Sequence, residues 1–455
     1  MADLAAGPKE KGLDRNELYI KGPQRMQGEL LIQGSKNAAL PILAATILGE
    51  GIFILHHCPK ISDVEHMLEL LVDAGCRAYW EGHMLIVDTR ELRNYRVKGD
   101  GAGKMRSTVT LLGSILGRMH QVEIPYPGGC TIGKRPIDLH LRGLEQLGAV
   151  FEHQEHTLVG KAAILHGASV YLDFPSVGAT ENVLLAAVLA EGSTVIHGAA
   201  MEPEIVELAS FLRKMGAKIL GEGTPVISIE GVKRLHAAEY IVPSDRIVAG
   251  TYLFGALMTR GEVRLLHVPL AHLGNLPGVL EQMGAVVEAK EDWIYVRMDH
   301  QCRPIPYLVT APFPGFPTDL QSALMAALST ASGISFIEEK IFEARFQVVE
   351  ELQKMGASIT SEESFALIDG DARLRGAKVE AKELRGGAAL IMAALAAEGE
   401  TCIQGMEYVC RGYEDINEDL KKLGIKKRCG EQGCCPKTAF TEETHVRTGN
   451  NEEVS

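Results

Sequence analysis

The sequence predicts an α/β protein built from six copies of one helix-and-strand unit. In each copy a helix-like run ends in an apolar residue, which glycine, usually alanine and a short strand-like run follow. The glycines are spaced 68–73 residues apart and are Gly75, Gly148, Gly216, Gly284, Gly356 and Gly424. A repeat at a nearly constant spacing indicates one supersecondary unit used several times, which decides the fold class.

A second kind of helix recurs and is apolar almost all round. Its clearest runs are residues 42–48, 183–189, 252–258, 324–328 and 391–395, with residues 111–116 as a weaker sixth copy. Helices without a polar face are predicted to lie inside a core. A strand-like run follows the apolar helix, as in residues 194–196 and 262–266.

The helix before each glycine is amphipathic. In the first copy Val64, Met67, Leu68 and Leu71 fall on one face, and acidic residues occupy the rest of the surface. The glycine is predicted to end the helix, because it adopts the left-handed backbone conformation at little cost.

Length and composition narrow the class of protein. The chain has 455 residues, 46% of them hydrophobic, so two or three domains with substantial cores are expected. Long apolar stretches are absent and residues 1–18 are polar, so we expect no membrane span, no signal segment and a cytoplasmic location. The nine cysteines stand singly except for Cys434 and Cys435, unlike a secreted disulfide framework.

Charge and the C-terminal composition exclude two further classes of site. The net charge of −13 argues against non-specific nucleic-acid binding, so an anionic substrate would need a local cationic pocket. Residues 429–455 are predicted to form a mobile tail beyond the sixth copy. Its cysteines, Cys429, Cys434 and Cys435, lack the spacing of a zinc site, so no metal is predicted.

A loop rich in glycine and proline, residues 127–136, carries one cysteine and two cations. Lys134 and Arg135 would stabilise the thiolate form of Cys130. Spacing alone leaves two interpretations open, a reactive thiol or a glycine turn with an incidental cysteine.

Other charged residues stand where the repeated unit predicts none. Lys36 opens an apolar helix, where a cation is unfavourable for the helix dipole, so we expect it to serve something other than the helix. Asp319 stands just inside another apolar helix, although acids in a first turn are also common caps. Arg345, Arg385 and Arg411 each fit a surface ion pair when taken singly.

Two segments, combined with the six units, resemble the UDP-N-acetylglucosamine enolpyruvyl transferase family of the EPSP synthase superfamily. They are residues 34–39, Gly-Ser-Lys-Asn-Ala-Ala, and residues 127–140, Pro-Gly-Gly-Cys-Thr-Ile-Gly-Lys-Arg-Pro-Ile-Asp-Leu-His. The resemblance runs from about residue 18 to residue 427. The cysteine loop is specific to this family, whereas the lysine–asparagine start is shared with enolpyruvylshikimate phosphate synthase.

The resemblance implies two domains, each an inside-out α/β barrel of three units. Domain 1 would comprise residues 36–244 and carry the Cys130 loop. Domain 2 would comprise residues 14–35 and 245–428 and carry Asp319 and the arginines. Substrate would bind in the cleft between them, and closure would assemble the site.

The family transfers the enolpyruvyl group of phosphoenolpyruvate to the 3-hydroxyl of UDP-N-acetylglucosamine and releases phosphate, the first committed step of peptidoglycan precursor synthesis. By resemblance, Cys130 would protonate the methylene carbon or attach covalently to substrate. Asp319 would accept the proton of the attacking hydroxyl. Lys36 and Arg411 would complete the catalytic set, and no metal, cofactor or redox step would be needed.

Further family positions match residues that would bind the two substrates. The anionic groups of phosphoenolpyruvate would meet Lys36, Arg106, Arg135, Arg345 and Arg411, with Arg385 in support. The sugar would meet Asn37, Ile341 and Phe342. The uridine would meet Arg135, Pro136, Ile137, Asp138 and Leu139, and the diphosphate would lie near Ser176, Val177 and Gly178.

Three positions depart from the family's pattern. Ala344 stands for an asparagine, Lys382 and Glu383 for a threonine and an aspartate, and Cys410 for an aspartate. All lie beside second-domain arginines. We therefore expect the arginines to keep their charge while the direction in which their side chains point changes. A low-activity or non-catalytic paralogue that binds UDP-sugar is therefore an alternative, while the intact cysteine loop disfavours the shikimate-pathway enzyme. Protein partners and oligomeric state are left open.

Overall fold

A computed structural model describes residues 16–97, 106–125 and 137–429. Within them the buried apolar side chains form two separate cores. One core extends over residues 38–242 and the other over residues 18–32 and 247–425. We call the regions around these cores the first lobe and the second lobe.

Two strands precede the first unit, and three units follow in the first lobe. The strands are β1 (Glu17–Gly22) and β2 (Gln27–Leu31). The first unit contains α1 (Lys36–Thr46), β3 (Gly49–Glu50), β4 (Ile52–His56), α2 (Ser62–Asp73), β5 (Arg77–Glu81) and β6 (Met84–Asp88). The second contains α3 (Leu111–Met119), β7 (Gln121–Pro125), α4 (Asp138–Gln146), β8 (Val150–Gln154) and β9 (Thr157–Lys161). The third contains β10 (Ser169–Tyr171), α5 (Val177–Ala187), β11 (Ser193–His197), α6 (Pro203–Lys214), β12 (Lys218–Leu220), β13 (Val226–Glu230) and β14 (Leu235–His236).

The other three units belong to the second lobe. Strand β15 (Glu239–Ile241) still lies in the first lobe, and the fourth unit then contains α7 (Arg246–Met258), β16 (Glu262–Leu266), α8 (Leu276–Gln282), β17 (Val286–Lys290) and β18 (Trp293–Arg297). The fifth contains β19 (Leu308–Val309), α9 (Gln321–Leu328), β20 (Ile334–Glu338), α10 (Val348–Lys354), β21 (Ser358–Glu362) and β22 (Phe365–Asp369). The sixth contains β23 (Lys378–Glu380), α11 (Leu384–Ala396), β24 (Gly399–Gln404), α12 (Met406–Val409), α13 (Ile416–Lys422) and β25 (Lys427–Cys429). Short 3-10 turns cover Arg106–Thr110, Leu270–Leu273, Thr318–Leu320 and Arg345–Gln347.

Most strands of a unit form one small sheet, and the strands next to the crossings between the lobes join the sheet of a unit distant in sequence. The third unit shows the common order, β10-β11-β13-β12, with only the first pair parallel. Strand β2 pairs with β16 of the fourth unit, and β15 pairs with β4 of the first. Strand β1 lies between β24 and β25. The two N-terminal strands therefore belong to the second lobe, although they precede the whole of the first lobe in the sequence.

The apolar helices lie at the centre of each lobe, with the sheets outside them. Every residue of α7 is buried, and α1, α3, α5, α9 and α11 are buried over most of their length. Helices α3 and α5 approach closely, since a Cβ on Gly113 would lie 2.2 Å from the carbonyl oxygen of Asn182. The prediction of six units with buried apolar helices is confirmed.

The six predicted helix stops are also confirmed. Gly75, Gly148, Gly216, Gly284, Gly356 and Gly424 all have positive φ, between 78° and 103°. Two local predictions differ from the structure. Cys429 does not begin a tail but ends β25, where it pairs with Leu18. Asp319 lies in the 3-10 turn ahead of α9 rather than within the helix. No described helix combines the length and the apolar character that crossing a bilayer requires.

Candidate active site

Lys36 is the first residue of α1 and lies where the two lobes meet. Ser35 caps the helix by accepting a hydrogen bond from Ala38 N at 3.3 Å. The backbone N–H of Lys36 donates to Asp245 Oδ2 at 3.1 Å. Asp245 lies where the chain crosses between the lobes for the second time. Its carboxylate therefore satisfies one of the free N–H groups at the start of α1 and holds the backbone of Lys36 in place.

Asp63 joins two cations from different lobes. Its side chain is 3% exposed and lies 3.4 Å from Lys36 Nζ. It also accepts from Arg411 Nε at 2.8 Å and Nη2 at 3.4 Å. Burial opposes ionisation, but Lys36 and Arg411 hold the pKa of Asp63 below its ordinary value. Burial, aided by Arg385 and Arg411, lowers the pKa of Lys36 despite the attraction of Asp63.

Asp319 collects a second set of partners, again from both lobes. Arg345 Nη2 lies 2.9 Å from Oδ1 and Arg385 Nη2 lies 2.9 Å from Oδ2. Asn37 of the first lobe donates to Oδ2 at 3.3 Å. Burial alone would raise the pKa of Asp319. The positive charges of Arg385, Arg345 and Lys36 outweigh burial and hold this pKa well below its ordinary value.

Each of the two arginines that pair with Asp319 has a guanidinium nitrogen that makes no hydrogen bond in the part of the chain that the structure describes. Their side chains are 2% and 4% exposed, so neither forms the surface ion pair that each fits singly. Arg345 Nε and Arg385 Nη1 are buried and have no hydrogen-bond partner within the described residues. Because an unpaired buried donor is costly, this geometry favours an anionic ligand beside Asp319.

Glu339 connects this carboxylate to the loop that follows β20. It is 3% exposed and accepts from the Thr318 hydroxyl at 3.0 Å. It also accepts from the backbone N–H groups of Ile341 at 2.8 Å and Phe342 at 3.1 Å. One buried side chain therefore positions the residue before Asp319 and the predicted sugar-contacting pair.

The predicted nucleotide-binding segments lie side by side in the first lobe. Ser176 caps α5, with its hydroxyl accepting from Ala179 N at 3.3 Å, and Val177 and Gly178 form the first turn. A Cβ on Gly178 would lie 2.7 Å from His140 Cε1 on α4. Ile137 and Leu139 flank the start of α4, where Asp138 pairs with Arg142 at 3.3 Å.

Four predicted residues are not placed in this site. Cys130, Arg135 and Pro136 lie outside the described residues, as does the side chain of Arg106. The residues brought together are Lys36, Asn37, Asp319, Arg345, Arg385 and Arg411.

The three departures from the family's pattern have different surroundings. Ala344 precedes Arg345 without a side-chain cap, yet the guanidinium still reaches Asp319. Glu383 caps α11 and accepts from the N–H of Arg385 at 2.7 Å, while Lys382 pairs with Glu350 at 2.8 Å. Cys410 is buried and disulfide-bonded, and its carbonyl accepts from Ser62 N at 3.2 Å.

Three residues of the site escaped the sequence analysis. Asp63 reads as an ordinary first-turn acid of an amphipathic helix, and Asp245 reads as an ordinary helix cap. Glu339 is one of two adjacent glutamates at the end of a strand, and no sequence pattern distinguishes it from an ordinary exposed glutamate. Their roles depend on contacts across the chain, so spacing carried no signal for them.

Comparisons with known proteins agree with one another. The profile of the family described as EPSP synthase (3-phosphoshikimate 1-carboxyvinyltransferase) matches residues 20–420. UDP-N-acetylglucosamine 1-carboxyvinyltransferase 2 of Caldanaerobacter subterraneus subsp. tengcongensis is 46% identical over 89% of this chain and 97% of its own length. UDP-N-acetylglucosamine 1-carboxyvinyltransferase of Cellvibrio japonicus is 44% identical over 91% and 99%.

Solved structures give the same architecture. The enolpyruvyl transferase NikO from Streptomyces tendae has a TM-score of 0.82 at 23% identity, covering 92% of this chain and 99% of its own. EPSP synthase from Acinetobacter baumannii has a TM-score of 0.70 at 20% identity, covering 91% and 99%. At such identities the likeness concerns the fold alone.

Proposed function

The chain belongs to the EPSP synthase family, and on that premise we propose that it is a UDP-N-acetylglucosamine 1-carboxyvinyltransferase. It would transfer enolpyruvyl from phosphoenolpyruvate to the 3-hydroxyl of UDP-N-acetylglucosamine with release of phosphate, an early step of peptidoglycan synthesis. Relatives of that name are 41–46% identical over about nine-tenths of the chain. A cytoplasmic location, and domains of residues 36–244 and of 14–35 plus 245–428, are part of the proposal.

The observation that carries this proposal is the pair of unpartnered buried donors beside Asp319. Arg345 Nε and Arg385 Nη1 make no hydrogen bond to any residue that the structure describes. Phosphoenolpyruvate brings a carboxylate and a phosphate, whose oxygens are strong acceptors for guanidinium groups. Lys36 and Arg411, both on Asp63, would supply further positive charge from the two lobes.

Asp319 is proposed as the base that takes the proton of the attacking hydroxyl. Despite burial, its arginines hold the pKa of Asp319 well below its ordinary value in the ligand-free arrangement, which weakens the carboxylate as a base. A bound anion would share Arg345 and Arg385, which would weaken their hold and raise the basicity of the carboxylate. Activation of Asp319 would thus depend on the substrate that it is to use.

The sugar nucleotide would bind along the first lobe and reach this carboxylate. The first turn of α5 presents backbone N–H groups that suit a diphosphate. The sugar would contact Asn37, which is hydrogen-bonded to Asp319. It would also contact Ile341 and Phe342, whose backbone N–H groups bond to Glu339.

The chemistry then needs two proton transfers for the addition and a third for the elimination. The hydroxyl oxygen would bond to the central carbon of phosphoenolpyruvate while Asp319 takes its proton and an acid protonates the methylene carbon. By resemblance that acid is Cys130. In the elimination, the deprotonated form of that acid would take back a proton from the new methyl group while the C–O bond to phosphate breaks, which restores the double bond and the acid.

Phosphate release measured with both substrates tests the proposal. We expect release with UDP-N-acetylglucosamine and none with shikimate 3-phosphate as acceptor. Cys130→Ser and Asp319→Asn variants are the matched controls. Wild-type release no higher than theirs, with calorimetry still showing nucleotide-sugar binding, would favour the non-catalytic paralogue instead.

A further inference from the structure

Arg411 lies on a short segment, residues 410–414, that both lobes hold. Tyr413, buried in the second lobe, donates its hydroxyl to Thr251 Oγ1 at 3.0 Å. On the first-lobe side, the carbonyl of Cys410 accepts from Ser62 N at 3.2 Å, and the carboxylate of Glu414 accepts from the N–H of Lys60. The position of the Arg411 guanidinium therefore depends on contacts that span the interlobe boundary.

Gln33 adds a pair of hydrogen bonds to this segment from a third direction. Its Nε2 donates to the carbonyl of Gly412 at 3.0 Å, and its Oε1 accepts from the N–H of Glu414 at 2.9 Å. Both ends of one amide are thus used on backbone groups either side of Tyr413. A primary amide offers a donor and an acceptor side by side, whereas an ionised carboxylate offers acceptors only.

The backbone of Gln33 belongs to the crossing points between the lobes. Its carbonyl accepts from Asp245 N at 2.9 Å, and the next residue, Gly34, bridges to Ser244. Gly34 is packed so tightly that a Cβ would lie 1.8 Å from the carbonyl oxygen of His57. The main chain at Gln33 is therefore held in place where the lobes join.

We propose that Gln33 is a positioning residue, which couples the lobe crossover to Arg411 through the 410–414 segment. The contact with substrate would be made by Arg411, and Gln33 would act only by holding its backbone. The kinetic part of this inference rests on the proposed function, since it assigns Arg411 to phosphoenolpyruvate.

Two variants of Gln33 test this role, and Gln24 supplies a matched control. Gln33→Ala removes both hydrogen bonds. Gln33→Glu keeps the shape and the acceptor but turns an oxygen toward the carbonyl of Gly412. Gln24 makes a similar amide bridge, to the carbonyl and the N–H of Lys426, both at 2.7 Å, and also donates to the carbonyl of Lys21 at 2.9 Å.

We expect the KM for phosphoenolpyruvate to rise about tenfold in both Gln33 variants, a factor within the range of one hydrogen bond, which each variant loses at least. The KM for UDP-N-acetylglucosamine should stay within about twofold, and Gln24→Ala should change neither. Hydrogen–deuterium exchange at the Glu414 amide should accelerate in Gln33→Ala, where this amide loses its acceptor, and not in Gln24→Ala.

Different outcomes separate this inference from the proposed function. Wild-type protein without phosphate release would overturn the function, while the exchange rate at Glu414 would still decide the structural role of Gln33. Unchanged exchange at Glu414, or equal changes in both KM values, would overturn the inference even in an active enzyme. If Gln33→Ala does not fold, the isosteric Gln33→Glu still decides through the two KM values, since it loses the hydrogen bond to Gly412.

Discussion

Replacing Asp319 with asparagine tests whether one carboxylate holds two buried arginines. Arg345 and Arg385 each lie 2.9 Å from it, with side chains 2% and 4% exposed. Removing one partner of a buried ion pair costs about 3–5 kcal/mol, because the remaining charge is left uncompensated. Asp319 is itself 24% exposed, so we take the lower figure and expect the free energy of unfolding to fall by about 3 kcal/mol.

Thermal unfolding measures this loss. For a lobe of this size, about 3 kcal/mol corresponds to a fall of about 6–12 °C in the melting temperature. The matched control is Asp299→Asn, which removes an exposed partner of Arg297 at 3.0 Å and should cost less than about 1 kcal/mol. Inorganic phosphate should raise the melting temperature of Asp319→Asn more than that of the wild type, because the freed guanidinium groups accept an anion.

The pH dependence follows from the direction of the Asp319 pKa. The arginines depress it in the folded state in spite of burial. Its contribution to stability is therefore complete above the unfolded value, near 4, and is lost as the pH falls through the lower folded value. The difference between wild type and Asp319→Asn should be constant from about pH 5 upward. An Asp319→Asn variant with the same melting temperature as the Asp299→Asn control would refute the reasoning. So would a phosphate effect that raised the melting temperatures of wild type and Asp319→Asn equally.

Three other perturbations follow from the same structure. The buried bridge of Arg246 to Glu204, at 2.9 Å, implies that Glu204→Gln lowers the free energy of unfolding by about 3 kcal/mol in urea titrations. Burial, together with Glu204 and Glu202, raises the pKa of Glu181 to about 8. The folded state then holds a proton that the unfolded state releases, so stability falls as the pH rises from about 4.5 to 8, and Glu181→Gln should remove this fall. Epoxides of the fosfomycin type should inactivate the enzyme by alkylating Cys130, which mass spectrometry of that peptide detects.

Each of these has a contrary result. The exposed pair of Lys218 and Glu230, at 2.6 Å, provides Glu230→Gln as the control for Glu204→Gln, and equal losses would reject a special cost of burial. An unaltered pH slope in Glu181→Gln would show that another group titrates. Loss of activity with an unmodified Cys130 peptide would reject the thiol as the target.

The repeated unit was open to prediction because its determinants are local. The six glycines end helices through their own φ angles, and the apolar runs become buried helices whichever neighbours they meet. The candidate site depended instead on resemblance, since a single arginine fits a surface ion pair. Burial of Arg345 and Arg385 became visible only once α11 and the turn after β20 were packed together.

Several residues of the site had no signal in the sequence at all. Asp63, Asp245 and Glu339 have the pattern of ordinary caps or surface acids, and Gln33 that of a polar residue before a helix. Each is distinguished only by its partners. Hydrogen bonds between distant segments leave no period in the chain, so composition and spacing could not identify them.

The sequence by itself determined the six units, their buried helices and their glycine stops, because these depend on interactions within a few turns of chain. Only the tertiary structure decided which charges meet. Arg411 and Asp63 are 348 residues apart, and Asn37 and Asp319 are 282 apart. Such pairs form because the chain crosses twice between the lobes and pairs β2 with β16 and β15 with β4, a long-range arrangement that no local pattern encodes.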